Sequence, residues 1–443
     1  MGMLFDVNAI DQSAGELMRV LCEEIGPRPA GASGIRQARA LLAGRLAAIG
    51  AVAIHEEPVA VRTWSPGEPA VELRAPYRQA FPCGQYLYSS PIAAELPLYD
   101  LGDALPEEIL RQGGEFSGKA VLMIGHGAAG GKYVSVRQRI DCACRAGAKA
   151  IITRSTAPTV LPALDIACMN GEAPVACLSV SNESGRSLSE AVETGPATVY
   201  LRANGVTAPG RCANLVADLG PDDLPEEIVI LGAHLDSYWN APGAGDDLTG
   251  IVTMIEIARL LAPYRHVFRR TLRLIAFTAE EIGNLGSKAY VADNPDAIAR
   301  TRFMLNLDVL FTATAHGMAV MWSPDMRDYC EGAFRDADRR VDVRNFFSVS
   351  SDYFPFMLAG IPSARQADWE GSFPIWWHTA ADDLAHIRPE WVRQNALTYA
   401  PLLARMLTDP DPLPARRLSR EEVQARLAEE EVGEWMKAQG YGS

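Results

Sequence analysis

The chain has no stretch fit to cross a membrane. Its longest uncharged run, residues 309–324, is interrupted by Thr, His and Gly, and a helical span needs about 20 apolar residues in succession. The segment Met1–Ser13 holds neither a basic n-region nor an apolar h-region, so no secretory leader is read and a soluble cytoplasmic protein is expected. Cysteine is sparse: eight in 443 residues, at scattered spacings and without a CxxC pair. That excludes a disulfide framework and a cysteine-held structural zinc, and leaves buried reduced thiols. Positive charge is in deficit. Asp and Glu number 55 against 41 Lys and Arg, a net charge of −14; such a surface repels phosphate backbones, so nucleic-acid binding is not expected. Internal repeats and low-complexity segments are absent. At 48% apolar and 22% charged, the composition is that of a globular protein long enough for two or three domains.

Hydrophobic periodicity divides the chain into four parts: 1–75, 76–204, 205–410 and 411–443. In the first, residues 13–25 carry Leu17, Val20, Leu21 and Ile25 on one helical face. The segment GPRPAG (26–31) breaks that helix, and Ser33 is placed to cap a second one over 34–49. Residues 52–54 and 59–61 read as strands. The second part has short β-like runs, KAVLMIG, KAIITR and PVACLSV, between Gly- and Pro-rich turns, with one helix over 135–146. It reads as an inserted, mostly β module. The third part has an α/β rhythm: strands over 226–234, 271–278 and 302–310, a helix over 248–261, and a closing helix over 389–407. The strands are almost continuously apolar, as a sheet covered on both faces requires. The expected fold is therefore α/β, a mixed and mainly parallel central sheet with helices on both faces, plus the insert. In the tail, Ser419 with Glu422 is a capping-box signature before an apolar stripe.

The strand ends carry metal-ligand residue types. His234 and Asp236 are two residues apart and so face the same way on an extended chain. An imidazole on a metal wants an acceptor on its other nitrogen. Asp246 and Asp247 stand at a loop-to-helix junction, where an acid serves either as an N-cap or as a carboxylate bridging two cations. Glu280 and Glu281 follow the next strand, one suited to a metal and the other to moving a proton. Asp308 ends an apolar strand, where a carboxylate is costly unless paired or coordinated. His378 lies in an aromatic run, Trp376-Trp377-His378. Ends of separate strands are where open α/β sheets bind ligands, and oxygen with imidazole donors suits two divalent ions, zinc first, then cobalt or manganese.

In the order HxD, DD, EE, D, H the chain resembles the M28 family of cocatalytic zinc peptidases. The resemblance rests on GAHLDS (232–237), PGAGDDLTG (242–250), FTAEEIGNLGSKAYV (277–291), NLDVL (306–310), SDYFPFMLAGIP (351–362) and WHTAADD (377–383). The insert is similar to a protease-associated domain. The related M20 family keeps a similar ligand order but inserts a lid between the later ligands; here only about 70 residues separate Asp308 from His378. The resemblance implies that His234 and Asp308 hold one zinc, Glu281 and His378 the other, and Asp246 bridges them. It implies that Asp236 orients His234, that the Asp246–Asp247 peptide is cis, and that Glu280 is the general base. Where many relatives have Tyr before the last His, this chain has Trp377, so the oxyanion donor would be Tyr353 or Trp377. Trp369, Phe373, Trp376 and Trp377 are either core packing or a substrate-pocket wall. The remaining histidines, His55, His126, His266, His316 and His386, have no ligand spacing and are read as surface or packing residues.

The expected activity is hydrolysis of peptide or small amide substrates, first as an aminopeptidase. Three alternatives stand beside it: a carboxypeptidase or amidohydrolase using Arg365 or an arginine of the insert to bind a carboxylate, a glutaminyl-cyclase-like transferase, and an inactive receptor-like binding protein. Oligomeric state is left open, with a homodimer as one option.

Overall fold

The computed structural model describes residues 7–125, 127–129, 132–169, 171–310, 317–349, 351–369, 374–438 and 440–441. The chain divides into two compact units. The first comprises Met1–Arg62, Pro209–Pro374 and Asp382–Glu430; the second comprises Thr63–Ala208, Ile375–Ala381 and Glu431–Ser443.

The first unit is built on an eight-stranded mixed sheet in the order Val52–Ser65, Val206–Leu219, Thr271–Phe277, Ile228–His234, Thr301–Asn306, Ser363–Ala367, Gly317–Met321 and Asp342–Asn345. Strand 228–234 lies at its middle, parallel to both neighbours, with Ala233 opposite Ala276 and Gly232 opposite Asn306. Strand 363–367 continues the parallel set beside 301–306. The carboxyl ends of these four strands therefore share one edge. Strand 228–234 is buried at every position, which explains its unbroken apolar sequence. The helix Thr249–Leu261 packs against it, and the helix Pro389–Thr408 packs on that helix in turn. Helix 249–261 is buried at all but one position, as an all-round apolar helix must be. The helix Tyr353–Leu358 packs on strand 363–367 and on the helix Leu285–Asp293.

Several elements differ from expectation in extent. The first helix starts earlier, at Val7–Arg19, and continues as a π-turn over Val20–Ile25. Its buried stripe is Ile10, Ala14, Leu17 and Leu21, so the 3.6-residue period reaches back a full turn. Ser33 does not cap the second helix: it is the first helical residue of Ser33–Ile49, and Ala32 occupies the cap without a side-chain bond. The two short strands near 52–61 are one strand, Val52–Ser65. The Ser419 capping box forms at the start of the helix Arg420–Glu429. The rest of the tail, with the helix Gly433–Ala438, belongs to the second unit.

The second unit has its own mixed sheet of eight strands, with Ala120–Ile124, Ala150–Arg154 and Ala176–Val180 as parallel neighbours. These are the three apolar runs read from the sequence. Alternate residues bury on opposite faces. Leu122, Ile152 and Leu178 join Leu188 and Ala191 of the helix Asn182–Thr194 on one face. Val121, Ile151 and Cys177 join Phe116, Val136 and Ile140 on the other. The expected helix is present over Val136–Arg145, capped by Ser135. Among the described residues the unit also holds the helices Pro106–Arg111, Gly113–Phe116 and Asn182–Thr194, besides Gly433–Ala438. It is thus α/β, not mostly β: runs apolar at every position need helices over both faces. None of the eight cysteines is paired in a disulfide. No helix of the described residues is long and apolar enough to cross a membrane.

Candidate metal centre

His234 is the last residue of the central strand, and its imidazole is almost fully buried. Its Nδ1 lies 3.1 Å from the main-chain oxygen of Asp236. That carbonyl is an acceptor only, so Nδ1 donates to it and Nε2 is turned toward the carboxylates. Nε2 is 2.9 Å from Asp246 Oδ1 and 3.6 Å from Asp308 Oδ1. The orienting role expected of Asp236 toward His234 is thus carried by its backbone. The Asp236 carboxylate accepts hydrogen bonds from the main-chain N–H groups of Glu280 at 3.1 Å and Glu281 at 3.2 Å, tying the next strand end to this one.

The loop after His234 is held by Arg28, which is wholly buried. Its guanidinium donates to the carbonyls of Leu235 at 2.8 Å, Gly26 at 3.1 Å and Gly243 at 3.4 Å, and also to that of Pro242. Its backbone N–H donates to Ser237 Oγ at 3.0 Å. Farther along, the main-chain N–H groups of Gly245 and Asp246 donate to the Asp382 carboxylate at 2.6 and 3.1 Å. The Asp246–Asp247 peptide is cis.

The two adjacent aspartates have separate tasks. Single donor atoms of His234, Asp247 and Asp308 lie within 4.8 Å of one another. Yet both Asp247 oxygens are already engaged: Oδ2 accepts from His234 N at 3.3 Å, and Oδ1 from Gly250 N at 3.0 Å and Val309 N at 3.1 Å. Asp246 instead presents its oxygen to Nε2 of His234. Asp246 is the better ligand on these contacts, and Asp247 the buried staple joining strand 228–234, helix 249–261 and the loop at Val309.

Asp308 stands two residues beyond strand 301–306. Its backbone N–H donates to Gln366 Oε1 at 3.0 Å, while its buried Oδ1 has no hydrogen-bond partner among the described residues. Glu280 Oε1 accepts from Asn284 Nδ2 at 3.1 Å. Asp352 is fully buried; Ser287 Oγ donates to its Oδ1 at 2.6 Å, and its Oδ2 lacks a partner among the described residues.

Burial is the first cause of the unusual acidity of these groups. It pushes Glu280 and Glu281 well above the usual carboxyl range, with neighbouring carboxylate charges adding to it. Burial also raises Asp382 to about 7 and Asp352 to about 8. At His234, burial pulls downward, but the hydrogen bond to Asp246 and the nearby Asp308 charge outweigh it and leave the imidazole raised. A buried carboxylate without compensation costs several kcal/mol, so the cluster must take up protons or cations. Buried carboxylate oxygens, an imidazole nitrogen turned toward them and an orphaned Asp308 oxygen fit divalent ions of the zinc class.

His378 belongs to the segment Ile375–Ala381 of the second unit. There, Leu164 N donates to its carbonyl at 2.9 Å, its φ is +57°, and the Trp377 ring stacks on its imidazole with centroids 3.6 Å apart. Tyr353 is buried in the first unit, with its hydroxyl hydrogen-bonded to Ser348 Oγ, and Arg365 Nε donates to the same Ser348 oxygen at 3.2 Å. Trp369 donates from Nε1 to the Asp342 carbonyl at 2.9 Å and packs against Phe346. Phe373, His126 and His316 lie outside the described residues. His55, His266 and His386 are exposed or half-buried on the surface, as expected. Arg28, Asp352, Asp382 and Gln366 were not singled out from sequence. Three of them lie inside motifs that were, GPRPAG, SDYFPF and WHTAADD, but nothing local marks a residue as a backbone acceptor or clamp.

The peptidase family M28 model matches residues 214–403, the segment that supplies every strand end described above. The chain carries a peptidase family M28 domain. Aminopeptidase YwaD of Bacillus subtilis is 30% identical over 260 residues, 56% of this chain and 55% of that protein. A probable leucine aminopeptidase 2 of Aspergillus oryzae is 28% identical over 270 residues, 54% of either chain. The chain thus spans about half the length of these curated relatives. Carboxypeptidase Q of Rattus norvegicus is 25% identical over 403 residues, 87% of this chain and 83% of that protein. Among solved structures, the M28 domain and its insert share a fold with a Shewanella amazonensis M28 peptidase precursor, at TM-score 0.81 and 20% identity over 93% of this chain and 98% of that one. A Bacillus subtilis zinc aminopeptidase matches at TM-score 0.71 and 23% identity over 95% of this chain and 100% of that one.

Proposed function

We propose that the protein is a dinuclear metal-dependent exopeptidase that releases N-terminal residues from peptides. The observation that carries this reading is the convergence of His234, Asp246, Glu280, Glu281 and Asp308 at the carboxyl ends of three adjacent parallel strands of an M28 domain. His234 and Asp308 would hold one ion, Glu281 and His378 the other, and Asp246 both. Bound there, two divalent ions would supply Lewis acidity toward the scissile carbonyl and acidify a water molecule. Glu280 would take the proton from the attacking water and return it to the leaving amine. Asn284 aims the Glu280 carboxylate, and the Asp236 carboxylate fixes the main chain that presents it. Tyr353 or Trp377 would donate to the developing oxyanion.

Glu280→Gln is expected to lower turnover by about 10²–10⁴-fold while two metal ions per chain are retained. Activity equal to wild type would defeat the proposal. A second reading has its own support: in sequence, the match to carboxypeptidase Q extends over most of both chains, whereas the matches to aminopeptidase YwaD and leucine aminopeptidase 2 extend over about half. Substrates with a free or blocked amino end, each with a free or blocked carboxyl end, separate the two. Cleavage that demands a free carboxylate and ignores the amine would replace aminopeptidase by carboxypeptidase.

A further inference from the structure

We infer that the first unit has a separate binding site for a phosphate monoester, in a pocket of about 480 Å³ at the carboxyl ends of helices 33–49 and 249–261. Three arginines line it, Arg45, Arg259 and Arg265, together with Ser13 and an apolar floor that includes Ile49 and Ile255; no acidic side chain lines it. Arg45 reaches Glu16 at 3.4 Å, an exposed pair and so a weak one. Arg259 donates from Nε to the fully buried Glu256 at 2.8 Å. The Arg265 side chain has no hydrogen bond or ion pair among the described residues. Three guanidinium groups therefore meet two carboxylates, leaving a local excess of one positive charge on a chain of net charge −14.

Arginines at helix carboxyl ends also answer the helix dipole. Here the Leu46 and Ala47 carbonyls of helix 33–49 are already bonded by Gly50 N and Ala51 N, and Arg265, whose guanidinium lies beside Gly50, donates to none of the helix carbonyls. Its five N–H donors remain available for a ligand. A monocarboxylate fills one arginine fork. A phosphate monoester carries nearly two charges and three terminal oxygens, enough to engage all three arginines, while its organic group covers the apolar floor. The pocket is distinct from the metal centre. Arg259 is twelve residues beyond Asp247, about 18 Å along the rising helix.

The test is calorimetric titration of the metal-loaded full chain with phenyl phosphate, inorganic phosphate and benzoate, repeated on Arg265→Ala and Arg45→Ala. Saturable binding of phenyl phosphate is expected, tighter than inorganic phosphate and absent for benzoate. Each variant should weaken it about ten-fold or more, the worth of one charged hydrogen bond, with metal content and peptidase activity unchanged. Binding that survives intact in both variants would place the anion on the metal ions and overturn the inference, as would no saturable binding at all. Equal affinity for phenyl and inorganic phosphate would overturn the ester.

Discussion

At the scale of single residues, two neighbouring aspartates divide the work. Asp246 offers an oxygen to His234, whereas Asp247 spends both of its oxygens on main-chain N–H groups. Asp247→Asn replaces an acceptor by a donor that faces an N–H group, and is expected to cost about 2–3 kcal/mol of stability in urea unfolding. Arg28→Met leaves the carbonyls of Gly26, Leu235, Pro242 and Gly243 without their donor and should cost about 3–5 kcal/mol, seen as a lowered melting temperature. The raised carboxyls make stability depend on pH. Asp352 and Asp382 hold their protons to about 8 and about 7 in the fold, while an unfolded Asp loses its proton near pH 3.9. Between those limits the folded state binds more protons, so metal-free protein loses stability as pH rises from about 4 to about 8. Chelated protein unfolded by urea at pH 5 and pH 8 tests this; equal or greater stability at pH 8 would contradict it.

At the scale of elements, the strand ends were readable because each strand is apolar at nearly every position and stops at a charged residue. Helix 249–261 was readable for the same local reason. Its closeness to the centre was not. A methyl group on Gly250 would fall 2.4 and 2.5 Å from the Asp247 carboxylate oxygens and 2.5 Å from the Leu307 carbonyl. Gly250→Ala is therefore expected to cost about 3 kcal/mol and to lower metal content, measured by thermal unfolding and by metal analysis. Glycine stands there because helix and staple touch, a long-range fact. In the second unit the helix Asn182–Thr194 escaped the sequence reading although Ser181 caps it and Leu188 and Ala191 bury. Gly- and Pro-rich punctuation around it masked a short amphipathic segment.

For the whole molecule, each unit buries its own core, and the acidic cluster of His234, Asp246, Glu281 and Asp308 lies within the first. Divalent ions at a thousand times their dissociation constant stabilise by about 4 kcal/mol. Chelation should lower the first unit's unfolding transition, which hydrogen exchange resolved by segment would reveal. A uniform shift of both units would mean that they unfold as one.

By itself the sequence determined the strands, the fold class of the first unit and the residue types at the strand ends, because apolar runs and two-residue alternation are local properties of a chain. Tertiary structure alone decided which aspartate of the pair faces His234, that Asp236 works through its backbone on one side and its carboxylate on the other, and that Arg28 and Asp382 hold the loops in place. Those choices join residues, from 12 positions apart for Asp246 and His234 to 207 for Arg28 and Leu235, most of them through hydrogen bonds to main-chain groups. Every residue has such groups, so no local pattern announces which ones will be used.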